Sequence, residues 1–347
     1  MKVLVLSQEV DEISYRYRIE PFLPALARQG IAVETMILDG TILGRTRQLL
    51  RAGKFDLAIL QRKLMSMVQV GILRSVAPRL VYELDDALFQ RCSGHRKGPN
   101  SWRLAARFWA TLRAADLVIV GNEYLKQRAA AHVEPGRIEV IPTCVDPDRY
   151  RPASHLARGA AARLAWIGQT CTLRGFQLAA DCLAAAGRRL PGLTLRLICD
   201  QGLELPDLRT QLRPWSSATE AGELAAADIG VSWLPDDSFT RGKCGLKILQ
   251  YMAAGLPVVA NPVGVTPGLV THGLTGFLAT TPREWADAVE RLARDPDLRR
   301  RMGAAGRERL QREFSVQRWA PRLAALVRQV HSATDGTPIE HGWKKAG

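Results

Sequence analysis

RGKCGLKILQYMAAGLPVVANPVG, residues 241–264, is the segment around which the rest of the chain is organised. Gly242 and Gly245 loosen the backbone just before a helical pattern that begins near Leu246, with Leu246, Leu249, Met252 and Ala253 as its apolar stripe. Gly255 stops that helix and Pro257 prevents its resumption. Val258, Val259 and Ala260 then predict a short buried strand, so the unit is helix, tight turn, parallel strand. If helical geometry extends back through the loop, Lys243, Lys247 and Gln250 stand at i, i+4 and i+7 and face one way. Two ammonium groups, the Gly245 backbone and a helix N-terminus would converge there on a diphosphate, with the Gln250 amide near a sugar hydroxyl. A surface helix with solvated lysines is the plainer alternative.

Outward from this stretch the chain alternates strand-like and helix-like segments. Upstream, residues 164–167, 193–198 and 228–232 predict strands, and downstream 282–293, 296–311 and 316–330 predict helices. In the first half, residues 3–7, 31–37, 55–60, 80–84 and 117–120 predict strands, with helices over 19–28, 65–76 and 101–115. Such alternation predicts α/β domains with parallel sheets and right-handed crossovers. A length of 347 residues suits two of them, placed at 1–150 and 151–330, and residues 141–153 with three prolines form the connector. Residues 331–347 are polar and predict a disordered tail.

Ligands of parallel sheets collect at the carboxyl ends of the strands, so the residues after each strand are the candidates. After the first strand no GxGxxG appears, which removes the main support for hydride transfer. Arg16 and Arg18 there are candidates for a phosphate or acidic acceptor, or a solvated pair. Gln61 and Arg62 follow the third strand, and Asp85 and Asp86 follow the fourth, where they would position or deprotonate an acceptor hydroxyl. A metal-binding use of the two aspartates ranks lower, and Asp86 could equally cap a helix. Residues 91–113 interleave six basic residues with Trp102, Phe108 and Trp109, a pattern suited to an anionic membrane surface or to packing on the sheet. After the strand at 164–167 comes Gly168-Gln169-Thr170-Cys171-Thr172-Leu173-Arg174-Gly175.

The net charge is +14, from 23 Lys/Arg against 16 Asp/Glu in residues 1–153 and 25 against 18 in the rest, so each half carries +7. An even spread argues against a dedicated nucleic-acid face and fits attraction to anionic headgroups or a phosphorylated acceptor. The first residues are too soon interrupted by Glu9, Asp11 and Glu12 for a signal peptide, no apolar run reaches the length of a membrane span, and the six cysteines lack CxxC spacing. A cytoplasmic protein with reduced thiols is the expectation, with the inner face of the membrane as its associated surface.

Residues 241–264 resemble the nucleotide-sugar signature of the family 4 glycosyltransferases, retaining enzymes of GT-B fold. Tyr251-Met252-Ala253-Ala254-Gly255-Leu256-Pro257-Val258-Val259 carries the likeness. The resemblance implies two Rossmann-like domains whose parallel sheets face across an interdomain cleft, the acceptor on the N-terminal side and the nucleotide sugar on the C-terminal side. The family places two glutamates eight positions apart here, and this chain has Gly242 and Gln250 instead. An amide can replace the second, which contacts the ribose. Glycine cannot replace the first, which contacts the transferred sugar, and Asp236 and Asp237 are the nearest carboxylates in sequence. Residues 168–175 resemble the family's Gly-Arg-x-x-x-x-Lys-Gly turn, in which both basic residues hold the donor phosphates. Arg174 stands at the Lys position and Gln169 at the Arg position, so one grip is kept and Lys243 would compensate for the other. Trp215 and Glu220 lie where the family often lodges the base, and residues 142–146 resemble its Pro-Asn-Gly-Val-Asp hinge segment.

The resemblance implies a metal-independent, retaining hexosyltransferase-type enzyme with no cofactor beyond its nucleoside diphosphate sugar. Such an enzyme moves that sugar to an acceptor hydroxyl, and the basicity together with the aromatic helix points to a glycan or lipid-linked acceptor in cell-surface polysaccharide or lipid-linked glycan synthesis. Arg174, Lys243, Gly245 and Lys247 would hold the leaving phosphates. Two other readings stay open: a catalytically inactive scaffold that binds nucleotide sugars, and a nucleic-acid binder, for which no reading module is present.

Overall fold

The computed structural model describes residues 1–8, 13–155 and 162–333. The chain divides into two compact units. One holds Met1–Thr143, Gly242–Cys244 and the chain from Val316; the other holds Cys144–Arg241 and Gly245–Ser315.

In the first unit the strands are β1 (Lys2–Ser7), β2 (Ala32–Ile37), β3 (Leu57–Gln61), β4 (Leu80–Leu84), β5 (Leu117–Val120) and β6 (Ile138–Val140). They form one parallel sheet in the order β2-β1-β3-β4-β5-β6. Every residue of β3, β4 and β5 is buried, as continuous apolar runs covered on both faces must be. Its helices are α1 (Ile13–Arg18), α2 (Leu23–Arg28), α3 (Ile42–Leu50), α4 (Met67–Val76), α5 (Trp102–Ala114) and α6 (Glu123–Ala130). The helix predicted over 19–28 is broken: a 3-10 turn, Glu20–Phe22, intervenes before α2, because Pro21 and Pro24 each fit only the first turn of a new helix.

The second unit repeats the plan with β7 (Arg163–Ile167), β8 (Thr194–Ile198), β9 (Arg209–Arg213), β10 (Ile229–Ser232), β11 (Val258–Ala260) and β12 (Gly276–Leu278). The order is β12-β11-β10-β7-β8-β9, again wholly parallel. Around it run α7 (Thr170–Gln177), α8 (Ala180–Arg189), α9 (Glu220–Ala225), α10 (Leu246–Ala253), α11 (Thr266–Leu269), α12 (Pro282–Arg294) and α13 (Pro296–Arg309). Trp166 stacks on Phe176 at 4.9 Å between centroids, and with fully buried Trp285 it anchors the core.

The final helix, α14 (Val316–Ser332), groups with the first unit, whereas the sequence places it in the second domain. Its buried stripe (Ala320, Leu323, Ala324, Leu326, Val327, Val330) packs against α2, and Arg322 pairs with Glu139 of β6 at 2.8 Å. Likewise the expected break near 150 falls at Thr143 and Cys144. Of the expected tail, His331 and Ser332 close α14, and residues 334–347 lie outside the described residues.

Candidate functional site

In the second sheet β7 and β10 are neighbours, and the chain leaves them toward opposite edges, which opens a crevice at their carboxyl ends. Gly168 follows β7 and donates its N–H to the Ile198 carbonyl at 3.1 Å. A Cβ there would sit 2.5 Å from Trp166, 2.7 Å from Thr172 Oγ1 and 2.9 Å from Lys247 Cε, so only glycine lets the Lys247 stem lie across this turn. Lys247 Nζ rests 5.2 Å from the Trp166 ring centroid and 3.5 Å from Thr172 Oγ1. Gln169 is the N-cap of α7, and Arg174 is exposed on the same helix.

Gly245 caps α10 with φ of +72°, the left-handed region, and packs against Leu269 and Val265. The helix therefore begins at Leu246, and the expected alignment of Lys243 with Lys247 and Gln250 on one face does not form. Gln250 is buried and donates to Tyr150 Oη at 3.4 Å. Tyr150 in turn donates to Glu220 Oε1 at 2.7 Å, and Trp215 Nε1 donates to Glu220 Oε2 at 2.9 Å. Gln250 is thus tied to the pair Trp215 and Glu220 through one buried network.

The first unit holds a different cluster at the carboxyl ends of β1, β3 and β4. Arg62 has φ of +60°, a strained conformation for arginine, and donates to Ser14 Oγ at 2.5 Å and to Asp86 Oδ2 at 2.7 Å. Its Nε lies 3.6 Å from Asp85 Oδ1. Lys243 Nζ contacts the same Asp86 carboxylate at 3.1 and 3.4 Å. Asn122 caps α6 through Oδ1 and donates from Nδ2 to the carbonyls of Gly242 and Lys243, both at 3.1 Å. The Cys244 thiol donates to the Asp85 carbonyl at 3.2 Å, and burial pushes that thiol up, so it stays protonated. Beneath the cluster Arg18 donates to Glu83 Oε1 at 2.7 Å and to the Ile141 carbonyl at 2.8 Å. Burial pushes Glu83 up to about 7, against the opposing pull of Arg18.

The structure thus brings Gly168, Gln169, Gly245 and Lys247 to one sheet edge, with Arg174 exposed on α7 and Gln250 buried in α10. It sets Lys243, Asp85 and Asp86 with Arg62 in the first unit, and Arg16 is buried in α1 rather than solvated. At the position of the absent glutamate, a Cβ on Gly242 would meet Ala87 Cβ at 2.7 Å. Asp236 pairs with Arg241 at 2.9 Å, and Asp237 accepts from the Thr240 N–H at 2.8 Å. Thr172 and Arg62 are site residues whose roles only contacts reveal, as is the hold of Asn122 on the Gly242 and Lys243 carbonyls. As a cap, Asn122, one residue past an apolar run and directly before the helical segment at Glu123, carried a readable signal. Among the described residues no group of three or more His, Cys, Asp or Glu could hold a metal ion.

A family model described as Glycosyltransferase Family 4 matches residues 8–149, and one described as Glycosyl transferases group 1 matches residues 162–295. A D-inositol 3-phosphate glycosyltransferase of Saccharomonospora viridis is 31% identical over 235 residues, 59% of this chain and 53% of that protein. The chain spans about half the length of such curated relatives. A GDP-mannose-dependent alpha-(1-6)-phosphatidylinositol monomannoside mannosyltransferase of Mycobacterium tuberculosis is 28% identical over 286 residues, 74% of this chain and 73% of its own. Among solved structures, a sucrose-phosphate synthase from Thermosynechococcus elongatus superposes with TM-score 0.74 at 18% identity, covering 96% of this chain and 100% of that one. Anabaena HepE in complex with UDP-glucose gives 0.72 at 17%, covering 94% and 99%. These likenesses show the GT-B fold, two parallel six-stranded sheets, in agreement with the strand orders above. Because the two family models divide the sequence as the two sheets do, the chain belongs to glycosyltransferase family 4.

Proposed function

We propose that this chain is a glycosyltransferase that moves a sugar from a nucleoside diphosphate donor to an acceptor hydroxyl with retention and without a metal. The observation that carries the reading is Lys247, held on the Trp166 face and the Thr172 hydroxyl at the crevice between β7 and β10. The barrier is departure of a diphosphate from an oxocarbenium-like sugar. A fixed ammonium and helix-terminal amides aimed at the leaving phosphates stabilise the charge that develops there. Lys247, Arg174 and the backbone at Gly245 and Gln169 take that role, and Gln250 meets the ribose. Asp86, clamped by Arg62 and Lys243, positions the acceptor side, leaving Asp85 for the acceptor hydroxyl. Lys243 acts on phosphate only by leaving Asp86. UDP-glucose, bound by the HepE neighbour, and GDP-mannose, named for the mannosyltransferase relative, favour a hexose on UDP or GDP. A phosphatidylinositol mannoside named for one relative favours a lipid-linked acceptor, hence cell-surface glycan synthesis at the inner membrane face.

A thermal-shift screen with UDP, GDP, ADP, TDP and CMP, repeated with EDTA, tests the donor site. A saturable rise with one diphosphate, indifferent to EDTA, is expected, and no shift with any of them overturns the reading. The anomeric configuration of the product, followed by NMR, tests retention.

A second reading, a binder of nucleotide sugars without turnover, is favoured by Gly242. Ala87 fills the space a side chain would need there, and Asp236 and Asp237 are engaged nearby. Measurable donor turnover separates the enzyme from this scaffold.

A further inference from the structure

Three neighbouring helices of the first unit begin with exposed apolar side chains. Ile42 and Leu43 open α3, Met67 and Val68 open α4, and Trp102 opens α5. Ile42, Val68 and Trp102 are 76%, 73% and 77% exposed, so these are not core residues grazing the surface. The crossovers β2 to β3, β3 to β4 and β4 to β5 all step the same way across the sheet, which sets α3, α4 and α5 on one face in that order. Contacts between α3 and α4 and between α4 and α5 agree. Each helix follows a strand, so its first turn lies at the carboxyl edge of the sheet. Five large apolar side chains therefore form one rim, extended along α5 by partly exposed Trp109. Phe108 and Leu112 of α5 are buried and account for its core face.

The charge is concentrated on the same segment. Residues 40–115 hold 14 Lys/Arg against 4 Asp/Glu, net +10 of the chain's +14. The flanking stretches 1–39 and 116–153 carry −2 and −1, so the even division between halves conceals a local excess. Residues 40–55, 57–82 and 87–115, which carry the three helices, contain no acidic residue. Of the four acids between them, Glu83 and Asp86 are buried in the ion pairs described above. Arg47, Arg96, Lys97, Arg103, Arg107 and Arg113 are exposed. Arg103 lies 5.4 Å from the Trp102 ring and Arg113 5.2 Å from the Trp109 ring, pairing guanidinium and indole on the surface.

We propose that this rim docks on an anionic lipid bilayer, with Ile42, Leu43, Met67, Val68 and Trp102 entering the interfacial layer and the basic residues lying on the headgroups. Apolar side chains ringed by cations match such a surface in both respects. A second copy of the same face would bring +10 against +10, and the aliphatic residues would gain nothing from a nucleic-acid backbone. The inference deepens the proposed action on a lipid-linked acceptor, because it brings the enzyme to the surface where such an acceptor resides.

Flotation of the full chain with phosphatidylcholine vesicles, with and without phosphatidylglycerol, tests it. Binding only when phosphatidylglycerol is present, weakened by salt, is expected. Val68→Ser combined with Trp102→Ala should lower partitioning about tenfold, since each removes apolar area from the interface, while the melting temperature stays that of the parent. Undiminished binding of that variant, or equal binding to neutral vesicles, overturns the proposal. A concentration-dependent dimer abolished by the same variant reassigns the rim to a second copy, and so overturns it. Displacement from vesicles by duplex DNA that is lost in the variant does the same in favour of nucleic acid. Nucleotide-induced thermal shifts are read on the same preparations. Their retention without vesicle binding overturns docking alone, and vesicle binding without them leaves docking standing and overturns the transferase reading.

Discussion

At the carboxyl edge of the first sheet, Lys243 and Arg62 share the Asp86 carboxylate, with Arg18 on Glu83 beneath. At the same edge of the second sheet, Lys247 lies on an indole face and a hydroxyl. Two lysines four positions apart in one motif thus meet different neighbours. A carboxylate neutralises an ammonium and fixes both partners, so the first edge is built for order. At the second edge an aromatic face receives the ammonium and a hydroxyl accepts its hydrogen bond, contacts of another kind from an ion pair. Basic residues of one phosphate-like motif are therefore not equivalent: the fold gives Lys243 a carboxylate neighbour and sets Lys247 against an indole and a hydroxyl.

The sharpest break in this contrast is Arg18→Met. It leaves Glu83 buried without its guanidinium, and loss of one partner of a buried pair costs about 3 to 5 kcal/mol. Since Glu83 can take up a proton, the lower figure, about 3 kcal/mol, is expected by urea unfolding at neutral pH. Lys247→Ala acts on the other edge. It should lower kcat/KM by roughly 1.5 to 3 kcal/mol of transition-state binding with little change in unfolding free energy. Unchanged turnover would remove Lys247 from the site. Gly242→Glu, which restores the family's carboxylate in sequence, should not raise activity. The new Cβ meets Ala87, and overpacking of this kind costs about 1 to 2 kcal/mol, read as a lower melting temperature.

The most gradual effect, spread over more than two pH units, is a pH dependence confined to the first edge. Burial raises Glu83 from an ordinary 4.5 to about 7, so in that window the folded protein retains a proton that the unfolded chain has released. Its contribution to stability is complete below the ordinary carboxylate pKa and is lost as the pH rises through about 7, at no more than roughly 1.4 kcal/mol per pH unit. Glu83→Gln should flatten that slope in unfolding experiments across the window. A slope unchanged by the substitution would assign it to another group.

Much of the fold is legible because buried parallel strands are unbroken apolar runs. Residues 80–84, 117–120 and 258–260 predict β4, β5 and β11 to the residue. The strands with no such signal are β6, β9 and β12, each at a sheet edge. β9, RTQLR, is mostly polar, and β6 and β12 have three residues each without the unbroken buried apolar run of β11. Within the site, Gly168 and Lys247 stand out by motif. The burial of Arg16 and the clamp on Asp86 join elements distant in sequence and leave no local pattern. The even +7 of each half hides the basic segment 40–115, since a sum over halves has no spatial resolution.

By itself the sequence determined the two α/β units, the glycine-bounded helix that leads into β11, and the turn after β7, because apolar periodicity and backbone restriction act over neighbouring residues. The tertiary structure alone decided that Gly245 turns left-handed and separates Lys243 from the helix of Lys247, that α14 returns to the first unit, and that three helix starts share one apolar rim. Each of these depends on packing between residues far apart in the chain, which no local pattern specifies.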